Sequence, residues 1–220
     1  MENLSLMDNY VINTPRMKSV IIMGGSGGSG RSTCAKQLGE ITGLKNISGG
    51  FRKLAMELGF GKYDLHTNQR ILLESELVEF QNQYAPLHPE VDLKLDADLF
   101  VEAQRGNVII ESTTLGPISK RLNLQFIRVW IDASEEERIN RIIKRELTKN
   151  NIVTGKEVKA ILGKRIEDNQ KRYLALYGFD YTDIDAYYEF NFDTTEIEES
   201  AMGSILLEKL IENEFWTNVG

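Results

Sequence analysis

The chain has 220 residues, 41% of them hydrophobic, with 26 basic and 33 acidic side chains and a formal charge of −7. This describes one folded domain rather than a disordered chain, and the acidic balance excludes a general binder of nucleic-acid polymers or anionic membranes, whose footprint is net basic. The lone cysteine, Cys34, rules out an internal disulfide and a cysteine metal cluster, and no apolar run reaches the roughly 18 residues of a membrane span. The N-terminus carries no basic-then-apolar leader pattern, so the expected location is the cytoplasm.

In chain order, residues 1–17 read as an extension without periodicity. Lys18 to Met23 is a β-branched apolar run that predicts a buried strand. A glycine-rich turn, Gly24 to Gly30, leads into a helix from Ser32 to Ile41 that Gly43 closes. Further strands are expected at 45–47, 107–110, 126–131 and 187–192, with helical patterns at 49–59, 67–84, 89–105, 134–148, 156–177 and 196–213. Strands alternating with helices imply right-handed crossovers and a mostly parallel sheet. No repeat or Pro-rich hinge divides the chain, so one domain is expected over 18–213, with a tail at 214–220.

The segment Gly25-Ser26-Gly27-Gly28-Ser29-Gly30-Arg31-Ser32 fits the phosphate-loop spacing G-x-x-x-x-G-K-S except at Arg31, where lysine is expected. Glycines let successive backbone N–H groups turn around a phosphate, and the next helix adds its positive end. Ser32 then supplies a hydroxyl for Mg²⁺, and Arg31 a charge for the β- and γ-phosphates. A flexible surface linker has similar composition, but this loop stands between an apolar strand and a helix, where phosphate binding needs it. Arginine keeps the charge yet is not interchangeable with a compact ammonium. No N-K-x-D guanine signature is present.

Later segments add a pattern of their own. Arg165 and Arg172 are seven residues apart, two helical turns, hence on one face. Together with the phosphate loop, the stretch Ser48-Gly-Gly-Phe-Arg52-Lys-Leu-Ala55, the run from Pro89-Glu-Val-Asp92 to Gly106-Asn-Val-Ile-Ile-Glu111, Arg138-Ile-Asn-Arg141 and Tyr177-Gly-Phe-Asp180, they carry a resemblance over roughly residues 18–213. In these pieces the chain resembles the cytidylate kinase-like P-loop kinases, in particular the archaeal-type branch of the nucleoside monophosphate kinases. The resemblance implies a three-layer α/β/α P-loop NTPase fold with a five-stranded, mostly parallel sheet. It also implies an acceptor-binding helical section at about 48–105 and a lid at about 138–172. The implied reaction is ATP- and Mg²⁺-dependent phosphoryl transfer to a small nucleotide, CMP or dCMP. Carried over by position, Gly25 to Thr33 would hold the ATP phosphates, Ser32 the metal, Ser48 and Arg52 the acceptor phosphate, and Arg138, Arg165 and Arg172, with Arg31 of the loop, the transferring phosphoryl. Glu111, at the C-terminal end of a strand where open α/β sheets bind ligands, is a further candidate for the metal, and Asp92 for the acceptor.

Three departures from the family pattern stand out: Arg31 for lysine, a segment from Ser48 to Ala55 about two residues short, and Ser112-Thr113 where Gly-Arg is common. Asn169 also stands where an acid is frequent. They leave two alternatives open, a kinase of another small metabolite and a nucleotide-binding protein with weak catalysis. Blander readings also stand beside individual residues. Arg138, Arg141, Lys144 and Arg145 have the spacing of a solvated helix face, and Glu111 that of a cap. Asp92 and Asp96 share a helix face that is either exposed surface or a contact with the acceptor. His66 and His88 read as surface, Cys34 as a small buried residue, and Trp130, Phe190 and Phe192 as packing. Phe215-Trp216 and the choice between monomer and homodimer stay open. Residues 138–172 hold 11 basic and 4 acidic side chains, a cationic segment in an acidic body suited to gripping two phosphorylated small molecules.

Overall fold

The structure, a computed structural model, describes residues 20–48, 50–64 and 69–215. The expected extension at 1–17, the first two residues of the first strand, His66 and Trp216 lie outside the described residues.

The first strand, β1 (Val20–Gly25), is the middle of a five-stranded parallel sheet of order β2-β5-β1-β6-β7, with β2 at Lys45–Ser48, β5 at Val108–Glu111, β6 at Ile127–Asp132 and β7 at Phe190–Asp193. Strand side chains alternate between faces, so an unbroken apolar run such as Val20 to Met23 is stable only when both faces are covered. Val20 and Ile22 pack with Leu99, Phe100, Ile118 and Tyr177 on one side, while Ile21 and Met23 pack with Cys34, Leu38, Met202 and Leu206 on the other. The helices α1 (Arg31–Thr42) and α9 (Met202–Glu212) form the second layer of contacts, and α4 (Pro89–Arg105), α5 (Leu115–Arg121) and α7 (Gly155–Tyr177) the first. The three-layer α/β/α fold is thus borne out, with Cys34, Trp130 and Phe192 buried as expected. Phe190 is half-buried and Phe215 packs against it at 6.0 Å between rings.

Two satellite units flank the sheet's C-terminal edge. One holds α2 (Phe51–Glu57), an antiparallel pair β3 (Lys62–Asp64) and β4 (Gln69–Ile71), and α3 (Glu74–Glu79), which runs on through a π turn at Phe80–Tyr84. Ala55, Leu72, Leu77 and Phe80 form its core. The helix expected over 67–84 therefore begins only at Glu74. Arg70 of β4 donates to the carbonyls of Gly59 and Gly61, both at 2.9 Å, and so holds the turn before β3 against β4. The other unit is a helical hairpin of α6 (Glu135–Leu147) and α7, zipped by Ile142, Val158 and Leu162. Each helix starts at a side-chain cap: Ser134 accepts from the Glu137 N–H at 3.2 Å, and Thr154 forms a capping box with Glu157. A short turn of helix, α8 (Ile184–Tyr187), delays the last strand, expected from 187, to Phe190. Among the described residues no helix is long and apolar enough to cross a membrane.

Candidate active site

The strand ends and both satellite units border one cavity of about 1140 Å³. That volume exceeds the about 300–1,000 Å³ usual for one small ligand, leaving room for two. Its floor is the loop between β1 and α1, Ser26 to Gly30, with the first turn of α1, Arg31 to Thr33. Gly28 and Gly30 both take left-handed conformations, with φ of 82° and 83°. Gly28 is constrained twice, because a Cβ there would stand 2.6 Å from the main-chain oxygen of Arg138. The start of α6 therefore lies directly on the loop. Gly25 joins the loop to β1 and is not among the cavity-lining residues.

Glu111, at the C-terminal end of β5, is 3% exposed and organises one wall. The Ser32 hydroxyl donates to it at 2.6 Å and the Asn46 amide at 3.3 Å, and Arg31 Nε lies 3.6 Å away. Arg31 also donates through Nη1 to Thr113 Oγ1 at 3.3 Å. Two departures from the family pattern, at 31 and 113, are thus in contact. Among the described residues no cluster of three or more His, Cys, Asp or Glu side chains is placed to hold a metal. A hydroxyl beside one carboxylate is nevertheless the donor set that suits Mg²⁺, which takes few protein ligands and completes its shell with water and substrate phosphate.

Arginines from both satellite units reach the same cavity. Arg52, Arg141, Arg145 and Arg165 line it, as do Ser48 and Lys144. Arg52, Arg145 and Arg165 converge on one carboxylate, Glu74, at 2.7, 2.6 and 2.8 Å. Burial alone would raise this carboxyl, but the three guanidiniums outweigh it and hold it down at about 2. Arg141 instead clamps Thr194, donating to its Oγ1 at 2.9 Å and its carbonyl at 2.8 Å, while Thr194 Oγ1 lies 2.8 Å from Ser29 O. The face of α6 that read equally as solvated surface therefore delivers Arg141, Lys144 and Arg145 to the cavity.

The remaining candidates sit one layer back. Arg138 presents its backbone to Gly28, and its buried Nε has no hydrogen-bond partner among the described residues. Arg172 shares a face of α7 with Arg165, as its spacing requires, but is buried behind the wall. It donates to Gln81 O at 2.7 Å, Asn169 Oδ1 at 3.1 Å and the Tyr173 hydroxyl at 3.0 Å, and its Nε lies 3.4 Å from Asp92. Asp92 and Asp96 are buried, so their reading as exposed polar surface is corrected: the face they share on α4 meets α7, not solvent. Burial pushes Asp92 up to about 7, with Arg172 opposing, and pushes Asp96 up to about 6 against hydrogen bonds from Thr114 at 2.5 Å and Tyr177. Of the two, only Asp96 borders the cavity. His88 is half-buried, stacked on Tyr84 with ring centroids 4.1 Å apart and paired with Glu90 at 3.0 Å, away from the cavity. Glu74 had no signal in the sequence, being one of three acids, with Glu76 and Glu79, in a stretch of mixed pattern.

Comparison with known proteins decides the family. The chain is 35% identical over 175 residues to the cytidylate kinase of Pyrococcus horikoshii, covering 79% of each chain. It is 30% identical over 207 residues to that of Methanopyrus kandleri, covering 89% of this chain and 96% of the other. The chain belongs to the cytidylate kinase family. It is accordingly an enzyme, a kinase, as the resemblance implied. No protein-family model matches the chain. Among solved structures, an uncharacterized protein from Eubacterium ventriosum superposes with a TM-score of 0.58 at 14% identity, over 89% of this chain and 99% of that one. Shikimate kinase from Bacteroides thetaiotaomicron does so at 0.55 and 15%, over 90% and 99%. These likenesses show the P-loop kinase fold.

Proposed function

We propose that the protein transfers the γ-phosphoryl group of ATP to CMP or dCMP, giving the diphosphate and ADP, with Mg²⁺ as the metal. The observation that carries this reading is the convergence of the phosphate loop, the Ser32–Glu111 pair and the arginines of both satellite units on a single cavity. The cytidylate kinase relatives supply the acceptor class.

In this reading the domain spans 18–213, the unit within 48–105 receives the acceptor, and the α6–α7 hairpin within 138–172 is the lid. The loop from Gly25 to Thr33 cradles the ATP phosphates with its backbone N–H groups. Ser32 and Glu111 would hold Mg²⁺, which when bound would supply charge neutralisation for the transferring phosphate. Arg31, Arg145 and Arg165 face the phosphoryl in transit, and Arg52 and Ser48 the acceptor phosphate. Such a transition state spreads charge over phosphate oxygens, so fixed cations and positioning do the catalysis without a covalent nucleophile. Arg138 sets the lid on the loop through its main chain. Arg172 and Asp92 brace the wall behind the acceptor, and Asp96 meets the acceptor itself. The alternatives of a different metabolite or a weakly catalytic nucleotide binder gain no support from the site.

A coupled ADP-release assay across CMP, dCMP, UMP and AMP tests the acceptor. CMP and dCMP are expected to turn over with the highest kcat/KM. Preference for AMP, or for a non-nucleotide alcohol, would overturn it.

A further inference from the structure

Glu74 is 2% exposed and yet lies where three cationic side chains meet. Arg52 comes from α2, Arg145 from the end of α6 and Arg165 from the middle of α7, so one carboxylate joins the acceptor unit to both arms of the hairpin. The arginines line the large cavity, whereas Glu74 borders a separate void of about 30 Å³ on the other side, the size of a single water. Glu74 therefore stands behind the guanidiniums and leaves the space in front of them open. Its own position is fixed: its backbone N–H donates to Glu146 at 3.3 Å, and Glu146 is held in turn by Lys149 at 2.6 Å and Asn151 at 3.0 Å. Leu72 O, two residues earlier, accepts from both Arg52 at 2.8 Å and Lys149 at 3.1 Å. The contact reaches the phosphate loop as well, since a Cβ on Gly27 would lie 3.3 Å from Arg165 Nη1 and 4.0 Å from Glu74 Oε1.

Three guanidiniums this close repel one another and, left alone, would turn separately toward water. One carboxylate offsets a single charge and leaves a net cationic array facing the cavity. An array assembled before substrate arrives needs no reorganisation as charge develops in the transition state. We propose that Glu74 is a positioning residue for phosphoryl transfer, gathering Arg52, Arg145 and Arg165 from behind into one preformed cationic array. This rests on the reading above in which those arginines face the reacting phosphates. Three hydrogen-bonded cations outweigh burial and keep Glu74 an anion at any pH at which the enzyme is assayed, so the array is permanent rather than pH-gated.

The test is a kinetic cycle on the full chain with ATP, Mg²⁺ and CMP, combining Glu74→Gln and Arg165→Lys, with thermal unfolding to verify that each variant is folded. Glu74→Gln puts an amide donor against arginine donors at almost unchanged volume, and is expected to lower kcat about 10- to 100-fold. The KM for ATP, set chiefly by the phosphate loop, should stay near that of the parent. Glu74→Asp, which keeps the charge and withdraws it by one methylene, should retain more activity than Glu74→Gln. The double variant should lose less than the product of the two single losses, because both changes act on the same array. Parental kcat in Glu74→Gln beside an impaired Arg165→Lys would overturn the role of Glu74 while leaving the kinase reading intact. Losses that multiply in the double variant, or an Asp variant no better than the Gln one, would mark Glu74 as merely structural. Full activity in Arg165→Lys would remove the array reading itself, and the proposal with it.

Discussion

Arg31 occupies the lysine position of the phosphate loop, and Thr113 a position where the family commonly carries arginine. The two side chains touch at 3.3 Å, with Glu111 3.6 Å from Arg31 Nε. The planar fork meets the two partners from separate nitrogens, Nη1 and Nε, whereas lysine has a single nitrogen and no fixed fork. Arg31→Lys should therefore keep attraction to Glu111 and lose the bond to Thr113. A hydrogen bond from a charged donor contributes about 1.5–3 kcal/mol net. The side chain is 25% exposed, and solvent screening reduces this to ~1–2 kcal/mol. Spent on transition-state binding, that is a loss of about 5- to 30-fold in kcat/KM. The assay is coupled ADP release with CMP at saturating Mg²⁺. Restoring the other half of the family pattern in the Arg31→Lys/Thr113→Arg double variant should recover much of the loss, since contacting sites couple. A gain of tenfold or more for Arg31→Lys alone would refute the reasoning, showing that arginine depresses catalysis in a site still suited to lysine.

Other outcomes follow from the same geometry. Gly28→Ala forces a Cβ to 2.6 Å from Arg138 O at a φ of 82°; a strain of about 1–3 kcal/mol should lower Tm by several degrees and weaken ATP binding in a titration. Glu111→Gln, which removes the charge beside Ser32, should raise the Mg²⁺ concentration for half-maximal rate about 10- to 100-fold, with kcat at saturating Mg²⁺ less affected. Asp92 is raised from 3.8 to about 7 by burial, so the folded protein keeps a proton that the unfolded chain releases. Stability from this group is complete below about pH 4 and lost as pH climbs to about 7, each tenfold difference in proton affinity being worth about 1.4 kcal/mol. Asp92→Asn should therefore gain in Tm relative to the parent between pH 5 and pH 8; a parent that instead gains on the variant would mean the Arg172 ion pair outweighs burial. Glu74, held down at about 2, acts in the opposite sense, and its stabilisation should fade as pH drops below about 4.5.

Much of this architecture was legible because its signals are local. The phosphate loop is a spacing rule between a strand and a helix, and the ends of α6 and α7 are marked by Ser134 and by Thr154 with Glu157. The parallel strands appear as apolar runs because both faces are covered. Features that depend on distant partners were hidden. The strands β3 and β4 are three residues each, too short to display a period, so the stretch from 67 read as helix. Asp92 and Asp96 have the i, i+4 spacing of a solvated face, and only the packing of α7 across α4 buries them. Glu74 acquires its meaning from arginines separated from it by 22, 71 and 91 positions, a relation no window of sequence contains. Arg172 matches its motif and its helix face, yet its buried partners turn it into a brace. The site residues read from position alone thus divide into those at the cavity and those behind it.

The proposed activity is transfer between two bound nucleotides, and the fate of the γ-phosphoryl group reports that directly. The protein would be incubated with Mg²⁺, CMP and ATP labelled at the γ-phosphate, and the products separated. Label appearing in CDP, in proportion to ADP formed, is the predicted result. Label released only as inorganic phosphate, or no transfer by folded protein that binds ATP, would contradict it.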